Sequence, residues 1–399
     1  MNSSPGLNKK ISPKSPFGVG VFSESLAFHK KLRGKLEVKS KIALKNRRAL
    51  SLAYTPGVGA VSSIIGKDKK LAREYTLKRN MVAIVSDGSA ILGLGNLGAE
   101  AAIPVMEGKA VLLKEFANVD AFPICLATQD PDEIVGAVKN IAPVFGGINL
   151  EDISAPRCFE IEGRLKKELD IPVFNDDQHG TATVVLAGLI NVLKIKGLKK
   201  ERAGVVINGA GAAGNAVSWL LLKFGFRNII LFDSLGAIYK GRKNLDRYKK
   251  ALAERTNKNK VRGDLAECLK GNDIFVGVSR AGLLKPEMIK AMNPKPAIFA
   301  LANPVPEIMP DKARKAGAFI VATGRSDFPN QINNALVFPG VFRGALDNRV
   351  KKITDDMKIK SAKNLAALIK KPAPDKIIPS VFDKKVVNAV ANSIRVHTP

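Results

Sequence analysis

The alternation of apolar and polar positions along this 399-residue chain resolves into a series of strand-like and helix-like runs. Short apolar runs bounded by Gly and Pro predict strands at 81–85, 109–114 and 119–124, and a helical period occupies 131–140. Residues 171–174 read as another strand, and 182–195 as a helix long enough to connect two domains. Beyond residue 203 the pattern is clearer: strands at 205–207, 228–232, 273–276, 297–300 and 319–322, with a helix at 215–224. Strand alternating with helix predicts an α/β fold. Residues 25–65 are mostly helical in pattern, interrupted at Leu52-Ala-Tyr-Thr-Pro-Gly-Val-Gly59, where Pro56 and Gly57 do not continue a helix. Near the other end Phe382, Val386, Val390 and Ile394 recur every four residues, a stripe that predicts a last helix docked on the core. Residues 1–20, rich in Ser, Pro, Gly and Lys, read as loose.

Composition removes several classes. With 46% apolar and 25% charged residues the chain is globular, not disordered or fibrous. Sixty-four Lys and Arg against 36 Asp and Glu give a net charge of +28, which attracts anions without naming one. The excess gathers at the ends: twelve Lys/Arg against two Glu in residues 1–48, and twelve against five Asp in 346–399. One Trp and four Tyr leave few stacking platforms for single-stranded nucleic acid, so no specific nucleic-acid binding is expected. Cys125, Cys158 and Cys268 form no CxxC pair, which points to a reducing, cytoplasmic setting. The longest apolar run, 184–190, is too short to span a bilayer, and no membrane partner is expected.

GxGxxG occurs twice, and context separates the copies. At 209–214 a strand runs into Gly-Ala-Gly-Ala-Ala-Gly, an apolar helix follows, and the next strand ends in Asp233. That is the βαβ unit that seats a pyrophosphate on a helix N-terminus. Gly209 permits the tight turn, Gly211 lets the backbone approach the phosphates, and Gly214 allows close helix–strand contact. The amides of Ala210, Gly211, Ala212 and Ala213 are expected to face the pyrophosphate. Asp233 is expected to accept from the ribose hydroxyls, favouring NAD over NADP, although Lys240 and Arg242 stand nearby. The copy at 93–98 lacks the flanking strand and reads as a glycine-rich loop lining a cleft.

Acidic residues are the minority, so their pairing beside turns is informative. Glu151-Asp152 and Asp176-Asp177 each fall where a strand or loop meets a helix. Three oxygens from these pairs would suit Mg²⁺ or Mn²⁺; adjacent acids also serve as surface or helix-capping residues. His179 is a metal ligand or, as its place near a helix start favours, a hydrogen-bonded structural histidine. Lys109 and Tyr54 are not distinguished by their local sequence.

The chain nevertheless resembles the malic enzyme family. The resemblance is carried by Ser-Leu-Ala-Tyr-Thr-Pro-Gly-Val at 51–58, Ser-Asp-Gly-Ser-Ala-Ile-Leu-Gly-Leu-Gly-Asn-Leu-Gly at 86–98 and Pro-Val-Met-Glu-Gly-Lys at 104–109. Phe-Gly-Gly-Ile-Asn-Leu-Glu-Asp-Ile at 145–153, Phe-Asn-Asp-Asp-Gln-His-Gly-Thr-Ala at 174–182, Ala-Leu-Ala-Asn-Pro at 300–304 and residues 330–340 continue it. It implies an N-terminal α/β domain at 25–155, a Rossmann-type NAD(P)-binding domain with a doubly wound parallel sheet at 156–350, and a helical segment at 351–399 packing back on the core. Residues 1–24 would be a loose basic terminus.

The activity implied is oxidative decarboxylation of L-malate to pyruvate and CO₂ with reduction of NAD(P)⁺ and a divalent cation. The resemblance places Glu151, Asp152 and Asp177 on the metal ligands, Lys109 on the general base, Tyr54 on the general acid and Asp176 beside the lysine. Asn303 and Asn334, with Lys109, fall on substrate-holding positions. A lysine base requires its pKa lowered by burial or cationic neighbours. Where longer relatives carry an arginine for a substrate carboxylate this chain has Ala90, so another cation, from elsewhere in the chain or from a neighbouring subunit, is expected to serve. A homodimer or higher homo-oligomer is expected. The alternatives are a malolactic-type enzyme, which shares the motifs and releases lactate, and a basic nucleic-acid-binding protein that retains the fold.

Overall fold

The computed structural model describes residues 19–396. The chain divides into two units, Met1–Lys41 and Ile42–Pro399. In the first, the helix Val19–Leu32 ends on His29, Lys30 and Lys31, cations that favour a helix C-terminus. The expectation of a loose start applies to residues 1–18, which lie outside the described residues; positions 19–24 are helical rather than loose.

The second unit holds two sheets. Strands β1 (Met81–Ser86), β2 (Asp120–Cys125), β3 (Gly147–Leu150) and β4 (Val173–Asn175) form the first, in the order β2-β1-β3-β4 and all parallel. A parallel sheet is covered on both faces, so its inner strands read as continuous apolar runs, as Val82-Ala-Ile-Val85 does, fully buried. The helices Ala99–Ala117, Pro131–Ile141 and Arg157–Glu168 make the crossovers. The Asp130 carboxylate caps the second of these by accepting from the Asp132 and Glu133 amides, with Pro131 at its first position.

Two expectations are corrected here. Residues 109–114 are not a strand but lie within the helix Ala99–Ala117. Ala102, Met106, Ala110, Leu113 and Ala117 are buried at helical spacing, a period that a six-residue window is too short to reveal. The expected boundary between 155 and 156 is also displaced, because β4 pairs with β3 and carries the first sheet to Asn175.

The second sheet contains β5 (Gly204–Asn208), β6 (Asn228–Asp233), β7 (Gly236–Ala237), β8 (Ile274–Gly277), β9 (Ala297–Ala300) and β10 (Ile320–Thr323). Their order is β10-β9-β8-β5-β6-β7, parallel except for β7. The chain thus winds outward from β5 in both directions, which opens a crevice at the carboxyl end of β5. The helix Ala212–Phe224 follows directly, three residues longer at its start than the pattern suggested.

The helix Asp176–Lys196 joins the sheets and lies within the largest apolar core, with residues 184–189 all buried. Gly188 brings it close to β9, since a Cβ there would lie 2.9 Å from the Phe299 ring. Residues 47–67 are apolar enough for a membrane span by composition, yet two short helices, Arg47–Ala53 and Val58–Lys67, divide them. No continuous spanning helix exists among the described residues there.

The carboxyl-terminal stripe docks as expected for Val386, Val390 and Ile394, which are buried. Phe382 does not join them: it precedes the helix Lys385–Ala391 and is 79% exposed. That helix packs on Phe338–Asp347 through two glycines. A Cβ on Gly340 would sit 2.6 Å from the Val390 Cβ, and one on Gly344 2.5 Å from the Ala391 carbonyl. Gly344→Ala must therefore push the helices apart and should destabilise the protein by about 1–3 kcal/mol, read as a lower midpoint in thermal or urea unfolding. An unchanged midpoint would refute this packing.

Candidate active site

Parallel strands place the loops at their carboxyl ends on one side of each sheet, and the loops of both sheets meet around one cavity of about 850 Å³. The loop after β3 supplies Glu151 and Asp152, and the helix that starts at the end of β4 supplies Asp177. From the second sheet come Gly211, Ala212 and Ala213 after β5, Ser279 after β8, and Asn303 after β9. Lys109 enters from the helix Ala99–Ala117, and Asn334 from the segment ahead of Phe338.

The acids are crowded. Ligand oxygens of Glu151, Asp152 and Asp177 all lie within 4.8 Å of one another. Lys109 Nζ stands 2.5 Å from Asp176 Oδ2 and 3.0 Å from Glu151 Oε1, and 4.6 Å above the Phe338 ring. Asp152 holds a left-handed backbone, φ +53°, a conformation disfavoured for a residue with a Cβ. Its amide donates to Asp177 Oδ2 at 2.8 Å, and its carbonyl accepts from the Ala90 amide. Asp152 Oδ2 is buried with no hydrogen-bond partner.

Burial, then the neighbouring Glu151, pushes the Asp152 carboxyl up to about 7 against the pull of Lys109. Burial and the Glu151 and Asp152 charges hold Asp177 well above the carboxylate range. Asp176 is raised chiefly by burial, with Lys109 opposing. For Lys109, burial works against the charged form, but Asp176, Glu151 and Asp177 outweigh it and hold the ammonium above its ordinary pKa. The lowered lysine pKa anticipated from the sequence is therefore reversed in the protein alone. Four carboxylates face one ammonium, and the orphaned Asp152 oxygen lies in the all-oxygen cluster. This donor set fits a hard divalent cation.

The dinucleotide turn behaves as its glycines predict. A Cβ on Gly209 would sit 2.6 Å from the Val278 carbonyl, and one on Gly214 1.6 Å from the Gly209 carbonyl, whereas beside Gly211 there is open space. Gly211 caps the following helix with no side-chain bond, leaving first-turn amides for an anion. Gly211, Ala212 and Ala213 line the cavity; Ala210 is buried beside them. Asp233 ends β6, where its Oδ2 accepts from Arg242 at 2.6 Å and Lys249 at 3.2 Å. Lys240 turns to Glu254 instead. The loop at 93–98 lines the cavity through Gly93, where a Cβ would strike the Asn303 carbonyl.

Tyr54 is not brought to this site. It is 67% exposed at the turn between the helices Arg47–Ala53 and Val58–Lys67 and does not line the cavity. Ala90 does line it, and Lys109 is the one cation among the described lining residues. His179 faces away, with Nε2 3.0 Å from Glu162 and burial lowering its pKa to about 4, a structural histidine.

Sequence reasoning missed Glu307. Fully buried, it accepts from the Ser279 and Ala302 amides at 3.1 Å each and ties together the loops after β8 and β9. Burial raises its pKa to about 7. Its signal was an acid inside the otherwise apolar Pro-Val-Pro-Glu-Ile-Met-Pro run. Asp87 was likewise passed over; it pairs with Arg157 at 3.3 Å and accepts from Ser89. Ser89 in turn accepts from the Ser154 amide, fixing the loop after β1 to the loop after β3.

Fold and site together define a Rossmann-type dinucleotide-binding enzyme whose acidic, lysine-containing cleft faces the cofactor turn. Residues 33–166 match the malic enzyme N-terminal domain and residues 178–397 the malic enzyme NAD-binding domain. The bifunctional malic/malolactic enzyme of Bacillus subtilis is 54% identical over 93% of this chain and 91% of its own. The NAD-dependent malic enzyme of Geobacillus stearothermophilus is 53% identical over 94% and 78%. The crystal structure of NAD-dependent malic enzyme from Thermotoga maritima superposes with a TM-score of 0.91 at 49% identity, covering 93% and 99%. The chain belongs to the malic enzyme family.

Raised carboxyl pKa values have a measurable sign. The native state binds more protons than the unfolded chain between the ordinary carboxylate pKa and about 7, so these groups lower stability as pH rises through that window. Mn²⁺ held by the deprotonated cluster should raise the melting temperature more at pH 7.5 than at pH 5. An equal shift at both values, or none, would exclude the cluster as a cation site.

Proposed function

We propose that this chain catalyses oxidative decarboxylation of L-malate to pyruvate and CO₂, with NAD⁺ taking the hydride and Mg²⁺ or Mn²⁺ bound by Glu151, Asp152 and Asp177. The observation that carries this reading is the acid cluster and Lys109 sharing one cavity with Gly211–Ala213. When bound, the cation supplies Lewis-acid polarisation of the C2 oxygen and stabilises the charge that develops as CO₂ leaves.

The chain's own groups do the rest. Asn303 and Asn334 offer amides to the substrate carboxylates. Lys109 takes the C2 hydroxyl proton. Once Glu151 and Asp177 serve as ligands, two of the three carboxylates that hold its proton are engaged, and burial, the largest influence on Lys109, favours the neutral amine. Asp176 then keeps the amine in place through its short contact. For the cofactor, the Asp233 charge disfavours a 2′-phosphate, while Arg242 and Lys249 soften that penalty, so NAD⁺ is preferred and NADP⁺ tolerated.

Tyr54 remains the proton donor to C3 in this reading, delivered by a second copy of the chain. The exposed apolar residues Leu50, Leu52, Tyr54 and Val58, with nothing buried in either flanking helix, support an arm that docks on a partner. The cation that Ala90 does not provide would come from the same neighbour. Free thiols at Cys125, Cys158 and Cys268 favour a cytoplasmic location. The name of the Bacillus subtilis relative keeps a malolactic activity as the second reading.

An assay with L-malate, Mn²⁺ and NAD⁺ should yield NADH and pyruvate in equal amounts. Lys109→Ala should lower kcat by roughly 10²–10⁴-fold while dinucleotide affinity, measured by fluorescence titration, stays near wild type. Lactate without NADH would select the malolactic reading, and full turnover by Lys109→Ala would remove the lysine from the chemistry.

The placement of Tyr54 has its own experiment. Inactive Tyr54→Phe and Lys109→Ala proteins, unfolded together and refolded as a mixture, should regain activity, because a hybrid dimer rebuilds one intact site. A tyrosine acting within its own chain predicts no recovery.

A further inference from the structure

Both amides that Glu307 binds belong to residues lining the catalytic cavity. Its Oε1 accepts from Ser279, on the loop after β8, and its Oε2 from Ala302, on the loop after β9, at 3.1 Å each. The first loop packs on the dinucleotide turn, since a Cβ on Gly209 would lie 2.6 Å from the Val278 carbonyl and 3.2 Å from the Ser279 Cβ. The second loop carries Asn303 into the same cavity. Asn303 has little room for displacement: a Cβ on Gly93 would strike its carbonyl, and one on Gly324 would lie 3.0 Å from its Oδ1.

The carboxylate is built into its place. It is fully buried, and Gly277 at the end of β8 makes room for it, because a Cβ there would lie 2.5 Å from Oε1. Main-chain bonds hold the same segment separately. The Gly282 amide donates to the Pro306 carbonyl at 3.3 Å, and the Leu284 amide to the Glu307 carbonyl at 3.1 Å. Loss of the carboxylate charge would therefore loosen the Ser279 and Ala302 amides while these ties remain. Burial raises the carboxyl to about 7, with backbone amides as the chief opposition. Around it, Arg280 and Lys285 of the loop after β8, Glu287 and Lys290 of the next helix, and Asp311 and Lys312 of the helix after Glu307 are solvent-exposed. Residues 301–306 carry no charge.

We propose that Glu307 is a positioning residue of the active site: its carboxylate holds the loops after β8 and β9 in one register and so sets Asn303 against the bound dinucleotide. Asn303 holds a substrate carboxylate in the reaction proposed above, on which this role rests. An ionised carboxylate accepts from both amides, whereas protonation turns one oxygen into an O–H donor and weakens one of the two bonds. Glutamine has the same shape but one accepting oxygen, and its NH₂ would face an amide donor. The register should tighten as pH rises through about 7 in the native chain and stay loose at every pH in Glu307→Gln.

Steady-state kinetics of the intact protein with L-malate, Mn²⁺ and NAD⁺ would compare Glu307→Gln with wild type at pH 6 and pH 8. At pH 8 the variant should lose at least about tenfold in kcat/KM, with a raised KM for malate, and the gap should narrow to about threefold or less at pH 6. Titration of the site acids is common to both proteins and cancels from the ratio. Hydrogen–deuterium exchange without substrate gives a second reading. Peptides containing Ser279 and Ala302 should exchange at least about threefold faster in the variant at pH 8. Their protection in wild type, corrected for the intrinsic rate, should fall from pH 8 to pH 6 while that of β5 holds. This last measurement needs no variant, so it decides the matter even where Glu307→Gln does not fold. The proposal is overturned if the folded variant keeps wild-type kcat/KM at pH 8 or shows the same deficit at both pH values. Wild-type exchange at these amides that ignores pH would overturn it too. A wild type that leaves malate unoxidised would overturn the reaction instead, and exchange would still decide whether Glu307 holds the loops.

Discussion

Four carboxylates held around one ammonium set the terms for everything else in this structure. Burial alone would drive Asp152, Asp176 and Asp177 toward their neutral forms, and mutual repulsion adds to that pressure. Such a cluster persists only if the surrounding chain over-determines it. Here that framework is visible: the Asp152 amide on Asp177, the Asn175 side chain capping the helix by accepting from the Gln178 amide, and Asn149 Nδ2 donating to Glu151. In a protein of net charge +28 an acidic pocket of this kind stands out, and its all-oxygen donor set fits a hard cation.

The two sheets contribute different halves of the chemistry through the same structural rule. Every group lining the cavity from a strand sits beyond that strand's carboxyl end, the acids from the first sheet, Gly211, Ser279 and Asn303 from the second. Glu307 does for the second sheet what Asp87 and Ser89 do for the first, holding neighbouring loops by their backbone amides and side chains. Neither group lines the cavity, and both hold in place the loops that do.

Much of this was legible in the residues. The βαβ unit at 204–233 announces itself by local rules, because glycine positions and strand periodicity are set within some thirty residues. The acid pairs were visible as anomalies in a basic chain. What local sequence could not carry was anything set by contact across the fold. The run 109–114 is apolar enough for a strand, and only its packing over 99–117 makes it a helix. The pKa of Lys109 was misjudged in sign, since its partners are 42 and 67 positions away in the chain. Glu307 shows in the sequence only as an acid in an apolar run, and its bonds to the Ser279 and Ala302 amides are set by contact across the fold. For Tyr54 the family's pattern named a role that a single chain does not stage.

The helix Asp176–Lys196 gives this architecture a built-in ruler. Its first turn bears two of the site acids, and Gly188, three turns on, is seated against Phe299 of the dinucleotide sheet. Each residue advances a helix by 1.5 Å and turns it by about 100°. One residue added or removed between 178 and 187 would swing the acids away from the cavity while leaving every one of them in the sequence. The spacing from carboxylate to glycine is thus as much a part of the active centre as the side chains themselves, and it tolerates substitution far better than insertion.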